Sequence, residues 1–263
     1  MSNYQSGFTL IELITVIVII GVLGSLTTKI LTLPVNSYLN LQSRNTLIDN
    51  AESALQMMQR DIRRALPNSI RIINSGTAIE FLHTSDGGRY RAYLTSTGTG
   101  NILDFTSADS SFDVIGSLSA APTGSVVVYN LNELTANAYA GTNIASLSNN
   151  STSTSIVLTS PTQFPMPSPQ QRFFIVDTPI TYACNLVAGQ LLRYSGYTIS
   201  ATQNVPPTNA VGQIQANSIS NCLFSYVSGS SSRSGLVTLN IALVDGYGAT
   251  SNLLHQIPVD NAP

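Results

Sequence analysis

One stretch limits what this chain can fold into more than any other: the 21 residues FTLIELITVIVIIGVLGSLTT, Phe8 to Thr28, which hold a single charge, Glu12. About 20 apolar residues are what a helix needs to cross the hydrocarbon of a bilayer. The alternative is a helix buried in a soluble core, but such helices show a polar face and this one shows none. A signal sequence destined for removal has a basic start, a shorter apolar region and a small-residue cleavage site after it. Residues 1–7, MSNYQSG, carry no Lys or Arg, no A-x-A-like site follows, and the apolar run leads into further helical pattern. The segment is expected to be retained as a transmembrane helix over 8–30.

Glu12 is the informative residue within it. A carboxylate in a membrane-spanning helix costs about 2.5–3.5 kcal/mol on insertion scales, so intramembrane acids have a use by default. Protonation or snorkelling to the interface is the plainer alternative. Around it stands Gly7-Phe8-Thr9-Leu10-Ile11-Glu12. These residues resemble the signature of the type IV prepilin and pseudopilin family, a short polar leader ending in Gly, then Phe-Thr-Leu-x-Glu, then an apolar run. The resemblance implies that a membrane prepilin peptidase cuts between Gly7 and Phe8 and methylates Phe8 as the new N-terminus. It also implies that Glu12 pairs with the Phe8 amine of a neighbouring subunit. That pairing removes the cost of two isolated charges in an apolar setting and fixes the axial register. Gly7 leaves the scissile backbone unobstructed. The chain departs from the family pattern twice. Its leader has no basic side chain, which weakens any positive-inside argument. Residue 29 is Lys near the place where family pilins carry Pro, and the first proline is Pro34.

Beyond the anchor, charged residues make up 9% of the chain against about 25% for an average soluble domain. A polar but sparsely charged surface suits an exported β-rich domain. The net charge of −2 gives no basic footprint for nucleic acid. Residues 1–91 hold eight basic and six acidic side chains, and residues 92–263 hold three and seven. Two cysteines, Cys184 and Cys222, read as a disulfide if the domain is exported, and as two inert buried thiols if it is not.

In Ser43–Leu66 the apolar positions Leu47, Ala51, Ala54, Leu55, Met58, Ile62 and Leu66 follow three-and-four spacing, one face of an amphipathic helix. Pro67-Asn68 is expected to end it. A straight helix from Phe8 to Leu66 would measure about 88 Å. Asp61-Ile62-Arg63-Arg64 reads as a solvated face with cations suited to a helix C-terminus. From residue 69 the period changes to strands. They are expected at 69–73, 78–83, 89–95, 125–131, 155–159, 172–177, 190–194, 223–227, 236–244 and 253–259. Hairpin turns are expected at Ser85-Asp86-Gly87-Gly88 and Asp245-Gly246-Tyr247-Gly248. The stretches 143–154, 161–169 and 228–235 read as low in order.

The expected class is α+β, a long N-terminal helix packed on a C-terminal β-rich head. The expected organisation is leader 1–7, membrane and assembly helix 8–30, amphipathic continuation 31–68 and periplasmic head 69–263. Short segments from Asp61 to Ser69, around Cys184 and Gly189-Gln190-Leu191, from Arg193 to Tyr197, and from His255 to Pro263 resemble the MshO-type minor pilins of the mannose-sensitive haemagglutinin (MSHA) pilus system. These are similar to J-type minor pseudopilins of type II secretion. The resemblance implies an inner-membrane subunit whose partners are prepilin peptidase and other minor and major pilins. A head of this size, on a chain that keeps Glu12, fits a place near the filament tip but not at its apex.

No chemistry-bearing motif competes with this reading. His83 and His255 have no partner at metal-ligand spacing, and G-x-S-x-G, H-E-x-x-H and Walker patterns are missing from the sequence. Asp86-Gly87-Gly88 reads as a plain turn rather than a calcium loop. Tyr194, Tyr197 and Tyr247 read as strand packing rather than sugar stacking. The chain is expected to be structural, not an enzyme, without cofactor, metal or nucleic acid. A pseudopilin of a secretion piston and an adhesin on a pilin anchor are the alternatives.

Overall fold

A computed structural model describes residues 7, 9–229, 233–246 and 248–260, with side chains 28, 29, 31–36 and 40 set aside within the helix. It shows the expected α+β class. A 54-residue helix, α1 (Leu10–Arg63), precedes the strands. These are β1 (Arg71–Ile73), β2 (Ala78–Tyr90), β3 (Asp109–Ile115), β4 (Ser125–Val128), β5 (Ile144–Ser146) and β6 (Ser155–Thr162). Then come β7 (Arg172–Asn185), β8 (Gln190–Tyr194), β9 (Gln213–Asn217), β10 (Ile219–Val227), β11 (Gly235–Val244) and β12 (Thr250–Val259). The chain divides into two compact units, Met1–Leu47 and Ile48–Pro263.

The first unit holds the N-terminal part of α1. From Leu10 to Thr27 it is long and apolar enough to cross a membrane, and none of those residues is buried. Its hydroxyls are satisfied within the helix. Thr15 donates to the Glu12 carbonyl at 2.9 Å, Ser25 to Val22 at 2.9 Å and Thr27 to Leu23 at 2.7 Å. A bilayer requires such internal satisfaction, because lipid offers no partner. The helix continues through Pro34.

In the second unit two sheets pack against one face of the rest of the helix. One has nine strands, ordered β5-β4-β7-β2-β3-β6, with β1 on β2 and with β8 and then β9 continuing from β7. The other is the meander β10-β11-β12. The apolar stripe predicted for the helix is the face that buries. Ala51, Ala54, Leu55, Met58 and Ile62 join Ile79 and Phe81 of β2, Ile180 and Tyr182 of β7, and the inner faces of β10 and β11 in one core. On β11 the alternation Val237, Leu239, Ile241, Leu243 is fully buried, as its period of two requires. Fully burying an aliphatic side chain contributes about 1.5–3 kcal/mol. A second core holds Tyr90, Phe112, Val126, Ile156, Phe173 and Ile175, with Phe112 and Phe173 edge-to-face at 5.5 Å. Both β2 and β7 supply side chains to both cores.

The structure corrects four expectations. The helix ends at Arg63, short of Pro67, because the backbone after it pairs with β2. Ala65 bridges His83, and Leu66 N–H donates to Leu82 at 2.8 Å. Asp86-Gly87-Gly88 is not a hairpin turn but lies inside the 13-residue β2. The glycines are there for space: a Cβ on Gly87 would sit 3.1 Å from the Phe173 carbonyl oxygen, and one on Gly88 3.0 Å from the Phe173 ring. Asp61 is not on a solvated face, since it bonds Arg193 and Tyr182. The stretch 143–154 is ordered. Asn143 is fully buried and its amide reaches the Val128 carbonyl at 3.2 Å, while Ile144–Ser146 forms β5.

β7 runs on past Asp177 to Asn185, passing Pro179 where the β2 register shifts, the place in a sheet that tolerates proline. β3 and β9 escape the sequence reading, since DSSFDVI and QIQAN are mostly polar and short of branched residues. The turn between β11 and β12 stands as expected, with Gly248 N–H bonded to the Asp245 carbonyl at 3.1 Å. Tyr247 and the tail residues Asn261–Pro263 lie outside the described residues.

Candidate functional site

The N-terminal motif occupies the start of α1. Leu10 is the first helical residue, and the Thr9 carbonyl accepts from Glu12 N–H at 3.1 Å and Leu13 N–H at 3.2 Å. Glu12 therefore lies in the first turn, where unpaired N–H groups and the helix dipole favour negative charge. Gly7 is exposed, and an added Cβ would meet nothing within 4 Å. Phe8, the expected mature N-terminus, and leader residues 1–6 lie outside the described residues. Leu10, Ile11, Leu13 and Ile14 are all exposed beside Glu12. Apart from the hydroxyls of Thr9 and Thr15, one turn to either side, the described surface around this carboxylate is apolar. Residues 2–28 match the family model of the prokaryotic N-terminal methylation motif.

The chain carries that motif. It supports a type IV pilin-like or pseudopilin subunit, for which the motif implies processing by prepilin peptidase and assembly with other pilins. The exposed apolar helix fits a single-pass membrane anchor. No curated protein and no solved structure matches the chain.

The head end of α1 is fixed by polar contacts as well as by its stripe. Asp61 Oδ2 accepts from Arg193 Nε at 2.8 Å and from the Tyr182 hydroxyl at 2.8 Å. The pair is four-fifths withdrawn from solvent. Burial works against the Arg193 charge, but the Asp61 hydrogen bond and charge outweigh it and raise the Arg193 pKa. Burial first, and the Asp61 charge second, push the Tyr182 phenol well above its ordinary range. Two residues earlier, Gln59 Oε1 meets His255 Nε2 at 3.0 Å, so the helix is tied to β12 as well. Sequence spacing could not find these pairs, because the partners lie more than a hundred residues from the helix.

Cys184 of β7 and Cys222 of β10 are joined, with their Cα atoms 6.5 Å apart. The expected disulfide thus links the nine-stranded sheet to the meander. His83 pairs with Asp177 at 2.9 Å. Burial would raise the Asp177 carboxyl, but the hydrogen bond and charge of His83 and the Thr178 N–H hold it below its ordinary value. Arg71 bonds Glu80 at 2.7 Å, and its guanidinium lies 3.4 Å above the Tyr139 ring. That arginine also reaches the Ser200 and Ala201 carbonyls, so it fastens the loop after β8 to the sheet. Tyr194 is buried, and Tyr197 bonds the Thr181 hydroxyl. Among the described residues no group of three His, Cys, Asp or Glu stands together as a metal site.

Proposed function

We propose that this chain is a minor pilin-like subunit of an MSHA-type type IV pilus, held in the inner membrane by 8–30 with its head, 69–263, in the periplasm. In this reading Gly7-Phe8 is the processing junction and Glu12 the assembly carboxylate. The observation that carries it is Glu12 in the first turn of a long helix whose apolar side chains from Leu10 to Thr27 are all exposed. Such a helix needs lipid or other helices around it, and such a carboxylate needs a cation. After cleavage the cation proposed to meet it is the Phe8 amine of another copy or another pilin. A disulfide-stapled head fits an oxidising compartment. The subunit lies near the filament tip but below the apex, helping to start or cap the filament. A J-type minor pseudopilin would share the motif and the anchor.

The test is Glu12→Ala in cells that make the filament. The protein is expected to stay stable in the membrane while filament number falls. Normal assembly of that variant would overturn the charge-pairing role.

A further inference from the structure

At the C-terminal end of α1, Arg60, Arg63 and Arg64 stand around one groove with Arg193 of β8, four of the chain's eleven basic side chains. The groove measures about 620 Å³ and is completed by Met57, Asp61, Gln213 and Gln215. Its one carboxylate, Asp61, is already held by Arg193 and Tyr182. Arg60, Arg63 and Arg64 are exposed, and their guanidiniums have no ion-pair or hydrogen-bond partner among the described residues, while the Arg64 backbone bonds Thr84 and Asp61. A helix C-terminus favours a cation. It does not account for three at i, i+3 and i+4, where like charges repel. On the far wall, β9 bonds to β8 on one side and to no described strand on the other.

We propose that this groove is the docking site for an extended acidic segment of another protein chain. The unpartnered guanidiniums supply the charge that carboxylates complement, in the fork geometry arginine offers them. The free edge of β9 supplies backbone groups that only a polypeptide can pair with, by strand addition. A polyphosphate cannot use that edge. The inference stands on the head alone and does not depend on the role of Glu12.

The experiment uses the full-length protein in detergent and a fluorescent peptide of alternating Glu and Val, titrated by anisotropy. Binding is expected to saturate and to weaken as salt rises from about 50 to about 500 mM. Arg60→Gln with Arg64→Gln is expected to lower affinity by about tenfold or more, the loss typical of removing anchoring charges. Arg91→Gln, which breaks the Arg91–Asp113 pair elsewhere on the head, is expected to leave it unchanged. The same peptide with Gln for Glu is expected not to bind. Four results would each overturn the proposal: equal binding of the Gln peptide, no loss in the double variant, no binding of the acidic peptide, or tighter binding of a single-stranded oligonucleotide of equal length.

Discussion

A single oxygen of Asp61 takes hydrogen bonds from both Arg193 and Tyr182, so removing it leaves a phenol without its acceptor and a guanidinium with only Ser195. Asp61→Ala is therefore expected to cost about 1–3 kcal/mol in denaturant melts, and Asp61→Asn less, because the amide oxygen still accepts. Asp177 makes a pH-dependent case. Its folded pKa is lowered, so its contribution is complete above the unfolded value of about 3.9 and is lost as pH falls through the folded one. Asp177→Asn is expected to destabilise the head by less than about 1 kcal/mol at neutral pH, since the side chain is two-fifths exposed. The difference should vanish in melts run well below pH 4. At this scale the sequence was legible where chemistry is local. Gly7, Phe8 and Glu12 stand within six residues and can be read as one motif. Asp61 looked solvated because its partners lie on β7 and β8.

Among the elements, α1 and β11 were the most readable, since three-and-four spacing in one and strict alternation in the other survive in the burial pattern. β2 was misread because Asp-Gly-Gly serves turns and close backbone approach alike, and only Phe173 across the ladder tells which is meant. The disulfide acts between elements. It closes a separation of 38 residues, for which loop entropy gives about 4 kcal/mol. Cys184→Ser is expected to lower stability by up to that amount and to make the head sensitive to protease at β10. Reduction of the native protein should reproduce the loss, and if it leaves the melt unchanged the staple contributes nothing. The partner cysteine was legible by count alone, but which two surfaces it ties together was not.

For the whole molecule, the anchor was legible because length and hydrophobicity are enough to define it, while the head's two-sheet arrangement depends on pairings across the full chain. In the proposed reading the mature protein begins at methylated Phe8. Peptide mass spectrometry of the native protein is expected to find that terminus, and Gly7→Val to leave Met1 in place, because a branched side chain crowds the scissile bond. Cleavage of Gly7→Val at the wild-type rate would show that the junction lies elsewhere.

The bond between Cys184 and Cys222 has a mechanical meaning as well. Tension on the chain before Ile48 enters the head through Ala51–Ile62, which grips β7 through Asp61 and β12 through Gln59. Traction on that segment pulls at both sheets together, and the seam between them is the line along which noncovalent contacts would part. A covalent crosslink from β7 to β10 bridges that seam. Oxidised, the head is expected to bear the load as one block, and reduced, to yield at lower force along the boundary between its two sheets, a difference that pulling on the two forms would measure.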